Sequence, residues 1–172
     1  MKMKTWQIIT VVVCIILGTL LHFTHEWSGE NTIVGLFSAI NESTWEHLKL
    51  IFYPMVLMAI LGYFVKGEKN NNYWFAQSMG IVTAIVFTIV FFYTYTGIIG
   101  TNFDWLNIAT FVIAVILGGV VTYKILTTRK YYDAEMVSRI FLIILLLSFI
   151  LYTFNPPQIA LFQNPLTREY GF

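Results

Sequence analysis

Residues 73–99 read YWFAQSMGIVTAIVFTIVFFYTYTGII, and no charged side chain interrupts them. A transmembrane helix needs roughly 20 mainly apolar residues to cross about 30 Å of hydrocarbon. This stretch is longer than that, and it has a tryptophan near its start, where an indole favours the membrane interface. The stretch therefore predicts a helix that spans a membrane.

The rest of the chain repeats this pattern. Of the 172 residues, 58% are hydrophobic and 11% are charged, whereas soluble domains carry about 25% charged residues. Four more apolar runs lie between the charged positions, at 5–23, 48–65, 105–123 and 138–154. We predict an all-α fold, a five-helix transmembrane bundle that forms a single integral membrane domain over residues 1–172. Lys49, near the start of the second span, is expected to extend its ammonium group to the membrane surface.

Small residues recur every four positions on two of the spans. Ala76, Gly80 and Ala84 follow this spacing on the third span, and Ala114 and Gly118 follow it on the fourth. Such faces let helix backbones approach closely in lipid. We predict that these spans pack through these faces; the alternative is that the small residues are incidental.

The basic residues predict the orientation of the bundle, because cytoplasmic loops carry an excess of lysine and arginine. With the N-terminus in the cytoplasm, eight of the ten lysines and arginines fall inside: Lys2, Lys4, Lys66, Lys69, Lys124, Arg129, Lys130 and Arg139. Only Lys49 and Arg168 then lie outside. This orientation places the C-terminus on the extracytoplasmic side.

The extracytoplasmic side also receives most of the ionisable groups. All three histidines and six of the nine acidic residues fall there, many of them in or near the sequence NESTWEHLK at Asn41–Lys49. Between the first two spans, the apolar sequence TIVGLFSAI at 32–40 is too short to cross a membrane. We predict that it forms a short interfacial or re-entrant helix.

Spacing within this region predicts a site. His22 and Glu26 are four residues apart and share a face if the first helix continues, and His47 stands at the head of the second span. Imidazole and carboxylate ligands suit zinc, iron or manganese, so His22, Glu26 and His47 are predicted to bind a divalent metal. Glu42 or Glu46 is the predicted general base. The pattern matches neither HExxH nor HxxEH.

A purely structural interpretation of the same residues stays open. Ser43 and Glu46 have the spacing of a capping box, in which each side chain satisfies a backbone N–H at a helix start. Glu42 at that start also interacts favourably with the helix dipole. His25 is interpreted as an interfacial residue with a solvated tip.

The chain ends in FNPPQIALFQNPLTREYGF at 154–172. Pro156, Pro157 and Pro165 prevent helix continuation, and the apolar residues between them disfavour a tail free in water. We predict that this proline-rich tail folds back onto the outer face of the bundle.

Three segments together carry a family resemblance: EWSG at 26–29, NESTWEHLK, and the TFNPP…LFQNP…YG pattern of the tail. The chain resembles, over nearly its whole length, a family of small bacterial polytopic membrane proteins known only as a domain of unknown function. The resemblance implies a location in the bacterial cytoplasmic membrane and no particular activity.

Three functional hypotheses follow. The first is a metal-dependent membrane hydrolase at the outer leaflet, whose metal activates a water molecule. The second is a transporter or capture subunit for a cation or small solute, although mid-membrane charges are missing. The third is a structural or regulatory subunit without chemistry. The protein is expected to lie in the lipid bilayer. The sequence leaves open whether it pairs with a second copy or with another membrane protein. It also leaves open whether its ligand is a small molecule or a lipid. A net charge of +1 argues against nucleic-acid binding.

Overall fold

The five predicted spans are helices that run antiparallel in chain order. The computed structural model describes residues 2–66, 71–128 and 133–171. The helices in these residues are α1 (Met3–Trp27), α2 (Thr32–Gly35), α3 (Thr44–Lys66), α4 (Tyr73–Ile99), α5 (Asp104–Thr127), α6 (Glu135–Phe154) and a 3-10 helix (Ala160–Phe162). Apart from one isolated bridge, between Gln163 and Tyr170, these residues contain no β structure. The prediction of an all-α bundle with a short helix between the first two spans is confirmed.

The five long helices are each long and apolar enough to cross a membrane. The architecture is therefore that of a multi-pass membrane protein. Two helices extend beyond the predicted spans at the same end of the bundle. α1 continues to Trp27 rather than ending at residue 23, and α3 begins at Thr44 rather than at residue 48. The earlier start of α3 places His47 inside regular helix, and the longer α1 places His22 more than one turn before the end of its helix.

The predicted small-residue contact between α4 and α5 is present. A Cβ added at Gly80 would overlap the hydroxyl of Thr122 and lie 2.7 Å from the Gly118 carbonyl oxygen. A Cβ at Gly118 would lie 3.2 Å from the Cβ of Ala84. The two backbones meet at a distance that only glycine allows. α4 also packs against α3 and α6.

A second close approach brings α1 against α3. A Cβ at Gly18 would overlap the Leu50 carbonyl oxygen and lie 2.6 Å from Phe111 Cζ. Leu50 is four residues before Pro54, which lies inside α3 and has no N–H to donate to that carbonyl. The crossing lies about one helical turn from His22 on α1 and from His47 on α3. Contact between the two backbones here holds the two histidines side by side.

The two ends of the bundle differ in chemistry. The histidine end is the one at which α1, α4 and α6 finish and α3 and α5 begin. The C-terminal tail lies at this end, where the Phe162 ring packs 4.7 Å from the Trp45 ring and 5.4 Å from the Tyr152 ring, measured between centroids. The prediction that the tail folds back onto the end that carries the histidines is confirmed.

At the opposite end, Glu135 joins the starts of α6 and α4. Its two carboxylate oxygens accept the backbone N–H groups of Trp74 and Phe75, each at 3.1 Å. The Arg139 guanidinium lies 5.9 Å from the centre of the Trp74 ring. Three of the basic residues used to predict orientation, Lys69, Arg129 and Lys130, lie outside the described residues.

Candidate metal centre

Two helix ends supply two of the three candidate ligands. His22 lies in α1, more than one turn before that helix ends at Trp27, and His47 lies in the first turn of α3. The start of α3 is set by Ser43, whose hydroxyl accepts the backbone N–H of Glu46 at 3.3 Å. A serine cap of this kind satisfies one of the unpaired N–H groups of a helix start. The cap thereby fixes the position along the chain at which His47 enters the helix.

The third candidate ligand, Glu42, lies in the connection that precedes α3. His47 Nε2 lies 3.2 Å from His22 Nε2 and 3.4 Å from Glu42 Oε2, and the three ligand atoms all lie within 4.8 Å of one another. Zinc binds imidazole nitrogen and carboxylate oxygen at about 2.0–2.2 Å. Neighbouring corners of such a tetrahedron are therefore about 3.3–3.6 Å apart. The two separations at His47 Nε2 are close to that range.

The other nitrogen of His47 determines which atom faces the group. His47 Nδ1 lies 2.9 Å from the Ser43 carbonyl oxygen, which only accepts hydrogen bonds. Nδ1 therefore carries the proton, and Nε2 directs its lone pair toward His22 and Glu42. A backbone carbonyl in this position is the usual partner of a metal-binding histidine. Without a metal, the same geometry permits a hydrogen bond from His22 Nε2–H to His47 Nε2.

The group is open to exchangeable ligands. The side chains of His47 and Glu42 are 31% and 45% exposed. His22 and Glu42 line a cavity of about 410 Å³, which lies within the size range of small-molecule sites. Its ionisable lining residues are His22, His25, Glu26, Glu30 and Glu42, and no lysine or arginine lines it among the residues that the structure describes. The carboxylates favour a cation in or beside this cavity.

The C-terminal tail forms part of the same cavity. Gly171 lines it, and its carbonyl oxygen accepts a hydrogen bond of 3.1 Å from Asn41 Nδ2. Asn41 Oδ1 accepts the backbone N–H of Ser43 at 2.9 Å. One asparagine side chain therefore connects the tail to the start of α3, immediately before Glu42.

The structure brings the predicted site residues together only in part. Glu26 lines the cavity but does not belong to the group of three ligand atoms. Glu46 is 2% exposed and bonds to Lys49 and to the backbone N–H of Ile40. The ligand role of Glu26 and the general-base roles of Glu42 and Glu46 stay predictions.

The capping-box interpretation is half right. Ser43 caps Glu46 as the box requires. The Glu46 carboxylate, however, bonds elsewhere, and the Ser43 N–H is satisfied by Asn41. Glu46 therefore serves as a buried ion-pair partner, and its burial is not explained by capping.

Two expectations about single residues are wrong. Lys49 does not extend to the membrane surface: it is fully buried, and its Nζ lies 2.6 Å from Glu46 Oε2. Its ammonium group finds carbonyl and carboxylate partners within the protein, which removes any need to reach water. His25 was expected to have a solvated tip, but it is buried, with 8% of its surface exposed; its backbone N–H bonds the Ser38 hydroxyl.

Ser38 was missed by the sequence reasoning. It lies in the apolar sequence TIVGLFSAI, and its side chain is fully buried. Ser38 bonds to the backbone of α1, which ends eleven residues earlier in the chain. Sequence spacing gives no way to predict such a contact from a loop residue. The Glu46–Lys49 pair did have a signal, since opposite charges three residues apart share a helix face.

Comparison with known proteins gives a family and no activity. No match was found among the curated proteins, and none among the solved structures. One family model, described as a family of unknown function (DUF6512), matches residues 1–172. The match covers every segment discussed above, including the three candidate ligands and the tail. The chain therefore belongs to this family of unknown function.

Proposed function

We propose that the protein is a divalent-metal-dependent membrane hydrolase whose metal is held by His22, Glu42 and His47. The observation that carries the proposal is the pair of separations at His47 Nε2, 3.2 Å and 3.4 Å, together with the Ser43 carbonyl that orients the ring. Zinc is proposed as the metal because two histidines and one glutamate form a known catalytic zinc donor set, and iron or manganese is the alternative for the same donors.

The donor set supports catalysis more than a structural role. Structural zinc sites are closed by four protein ligands, whereas catalytic sites have three and leave a position for water or substrate. Two imidazoles and one carboxylate, partly exposed beside a cavity, correspond to the second kind. A metal bound there lowers the pKa of its water and so supplies a nucleophile near neutral pH.

The remaining carboxylates receive different roles in this proposal. Glu42 is a ligand rather than the base, because its oxygen lies next to His47 Nε2. Glu26 lines the cavity and is accessible, so it is assigned to the water or substrate side of the site. Glu46 is withdrawn from the cavity by its bond to Lys49 and is assigned no chemical step.

The proposed location is the bacterial cytoplasmic membrane, with the histidine end on the extracytoplasmic side. The distribution of lysine and arginine in the sequence supports this orientation. A cavity at that end would receive substrates from outside the cell or from the outer leaflet.

The proposal is tested by metal content and by turnover. Protein purified in mild detergent is analysed for zinc, iron and manganese, and zinc affinity is measured by titration calorimetry. Glu42→Gln and His47→Ala are expected to lose stoichiometric zinc. Glu30→Gln is the matched control, since Glu30 lines the same cavity but lies outside the group of three.

Activity is measured with panels of chromogenic esters, amides and phosphodiesters. The expected result is zinc-dependent turnover that Glu42→Gln abolishes and Glu30→Gln retains. Absence of bound metal in the wild-type protein contradicts the proposal. Bound metal without any hydrolysis, combined with protein-dependent solute uptake in vesicles, would favour the transport hypothesis instead.

A further inference from the structure

Ser38, Glu46 and Lys49 form a buried polar network, and none of them belongs to the group of three candidate ligands. Lys49 is fully buried, and its ammonium group has three acceptors: Glu46 Oε2 at 2.6 Å, the Gly35 carbonyl at 2.9 Å and the Ser38 carbonyl at 3.4 Å. An ammonium group has three hydrogens to donate. Each of them therefore has a partner, and the charge is held in one place.

Ser38 connects this ammonium group to α1. Its hydroxyl donates to the Leu21 carbonyl oxygen and accepts the backbone N–H of His25 at 3.1 Å. These two backbone groups lie on either side of His22 in the chain. Since the Ser38 carbonyl also accepts from Lys49, one residue links the segment of α1 that carries His22 to the interior of α3.

Glu46 makes the corresponding connection to the other two candidate ligands. It precedes His47 in α3, and its Oε2 accepts the backbone N–H of Ile40 at 3.1 Å. Ile40 lies two residues before Glu42. The bonds made by Ser38, Lys49 and Glu46 therefore fix the backbone next to, or two residues from, each of the three candidate ligands.

Stability alone does not account for such a network. Taking an ion pair out of water costs several kcal/mol per ion, and apolar residues of the same volume are often as stable or more so. In some proteins, a buried polar or ionic group instead specifies one arrangement of the elements that it joins. Metal–ligand distances in real sites lie within about 0.2 Å of their ideal values, so the elements that carry the ligands need a defined arrangement.

We infer that the Ser38–Lys49–Glu46 network positions the metal ligands, with Lys49 as the residue that fixes α1 and α3 relative to each other. The inference rests on the proposed metal site. Lys49 is here a positioning residue: it sets the separation of His22 and His47 through backbone contacts and takes no part in chemistry.

The experiment compares four proteins with the wild type. Lys49→Met removes the ammonium group, and the double variant Lys49→Met with Glu46→Leu also removes the carboxylate that would be left unpaired. Ser38→Ala keeps the ion pair but removes the link to α1. Gly80→Ala is the control, because it introduces a clash at the α4–α5 contact without touching the network. Each is titrated with Zn²⁺ and, for its visible spectrum, with Co²⁺.

The expected result is a loss of Zn²⁺ affinity of about tenfold or more in Lys49→Met, in Ser38→Ala and in the double variant, as for changes to the partners of metal ligands. The Co²⁺ spectrum of these variants should shift from the intense bands of a four-coordinate ion to the weaker bands of higher coordination. The double variant should recover thermal stability while its affinity stays low, which separates positioning from stability. Gly80→Ala should lose stability and keep both its affinity and its spectrum.

Wild-type affinity and spectrum in Ser38→Ala and in the double variant would overturn the inference and leave the metal site standing. A wild-type protein that binds neither ion would instead overturn the proposed function, and this inference with it. Because Ser38→Ala removes a single hydroxyl, the test remains decisive even if Lys49→Met does not fold.

Discussion

Gly18→Ala is the substitution that links the fold most directly to the site. The added Cβ would overlap the Leu50 carbonyl oxygen, and its separation of 2.6 Å from Phe111 Cζ is about 1 Å short of van der Waals contact. The half-buried Phe111 ring can turn aside, but the Leu50 carbonyl belongs to a helix backbone and cannot. Relief therefore requires α1 to move away from α3.

The expected magnitude follows from two opposing effects. Overpacking a well-filled contact costs about 1–3 kcal/mol, while replacing glycine by alanine inside a helix gains about 0.5–1 kcal/mol. We expect the free energy of unfolding to fall by about 1–2 kcal/mol. A displacement of α1 also separates His22 from His47, so zinc affinity should fall about tenfold or more.

Two other glycines provide matched controls. Gly97 lies in α4, and a Cβ there meets no atom within 4 Å, so Gly97→Ala should be neutral or slightly stabilising. Gly80→Ala creates a comparable clash far from the histidines. Unfolding by SDS titration in mixed micelles gives the free-energy differences, and calorimetry gives the zinc affinities. Equal stability of the Gly18→Ala and Gly97→Ala proteins, or unchanged zinc affinity in Gly18→Ala, would refute the idea that this crossing sets the spacing of the histidines.

Three further predictions concern polar contacts. Lys49→Met leaves Glu46 buried without its partner and should lower the free energy of unfolding by about 3–5 kcal/mol, a loss that adding Glu46→Leu should largely reverse in the same SDS titration. Asn41→Ala removes the hydrogen bond to the Gly171 carbonyl, which is worth about 1 kcal/mol. Carboxypeptidase should therefore trim the tail about fivefold faster than in the wild type. An unchanged rate would show that other contacts hold the tail. Glu135→Ala removes the acceptor for two backbone N–H groups at the start of α4 and should lower the free energy of unfolding by about 0.5–2 kcal/mol. Zinc binding should not change, because Glu135 lies at the end of the bundle opposite the histidines. A loss of zinc would contradict this.

The sequence was sufficient to predict the membrane architecture, since length and hydropathy determine which segments can cross hydrocarbon. The third span and α4 have the same bounds, Tyr73–Ile99. The bounds of α1 and α3 were less well predicted because polar residues at 24–27 and 44–47 interrupt the apolar pattern while remaining helical. Hydropathy predicts which part of a helix lies in the hydrocarbon, not where the helix itself begins or ends. The start of α3 is set instead by the Ser43 cap.

The sequence pointed to His22, Glu42 and His47 as residues of a site, but it did not show how their side chains are arranged. His22 and His47 were expected together, and they lie together. The general-base role of Glu42 stays a prediction, and the sequence does not show that the connection before α3 brings its carboxylate to 3.4 Å from His47 Nε2. Lys49 was misplaced for a related reason: a lysine near the end of a span usually reaches water, and only the fold shows that three oxygen acceptors surround it.

X-ray absorption at the zinc edge of the purified, zinc-loaded protein tests the proposed centre most directly. The structure predicts two imidazole nitrogens and one carboxylate oxygen at about 2.0–2.2 Å from the metal, with a further light atom from water. The zinc that His22→Ala and His47→Ala still bind when they are loaded with excess zinc should show the scattering of one imidazole fewer, and Glu30→Gln should leave the spectrum unchanged. A zinc ion with no imidazole scattering, or one whose spectrum is the same in both histidine variants as in the wild type, would contradict the proposed site.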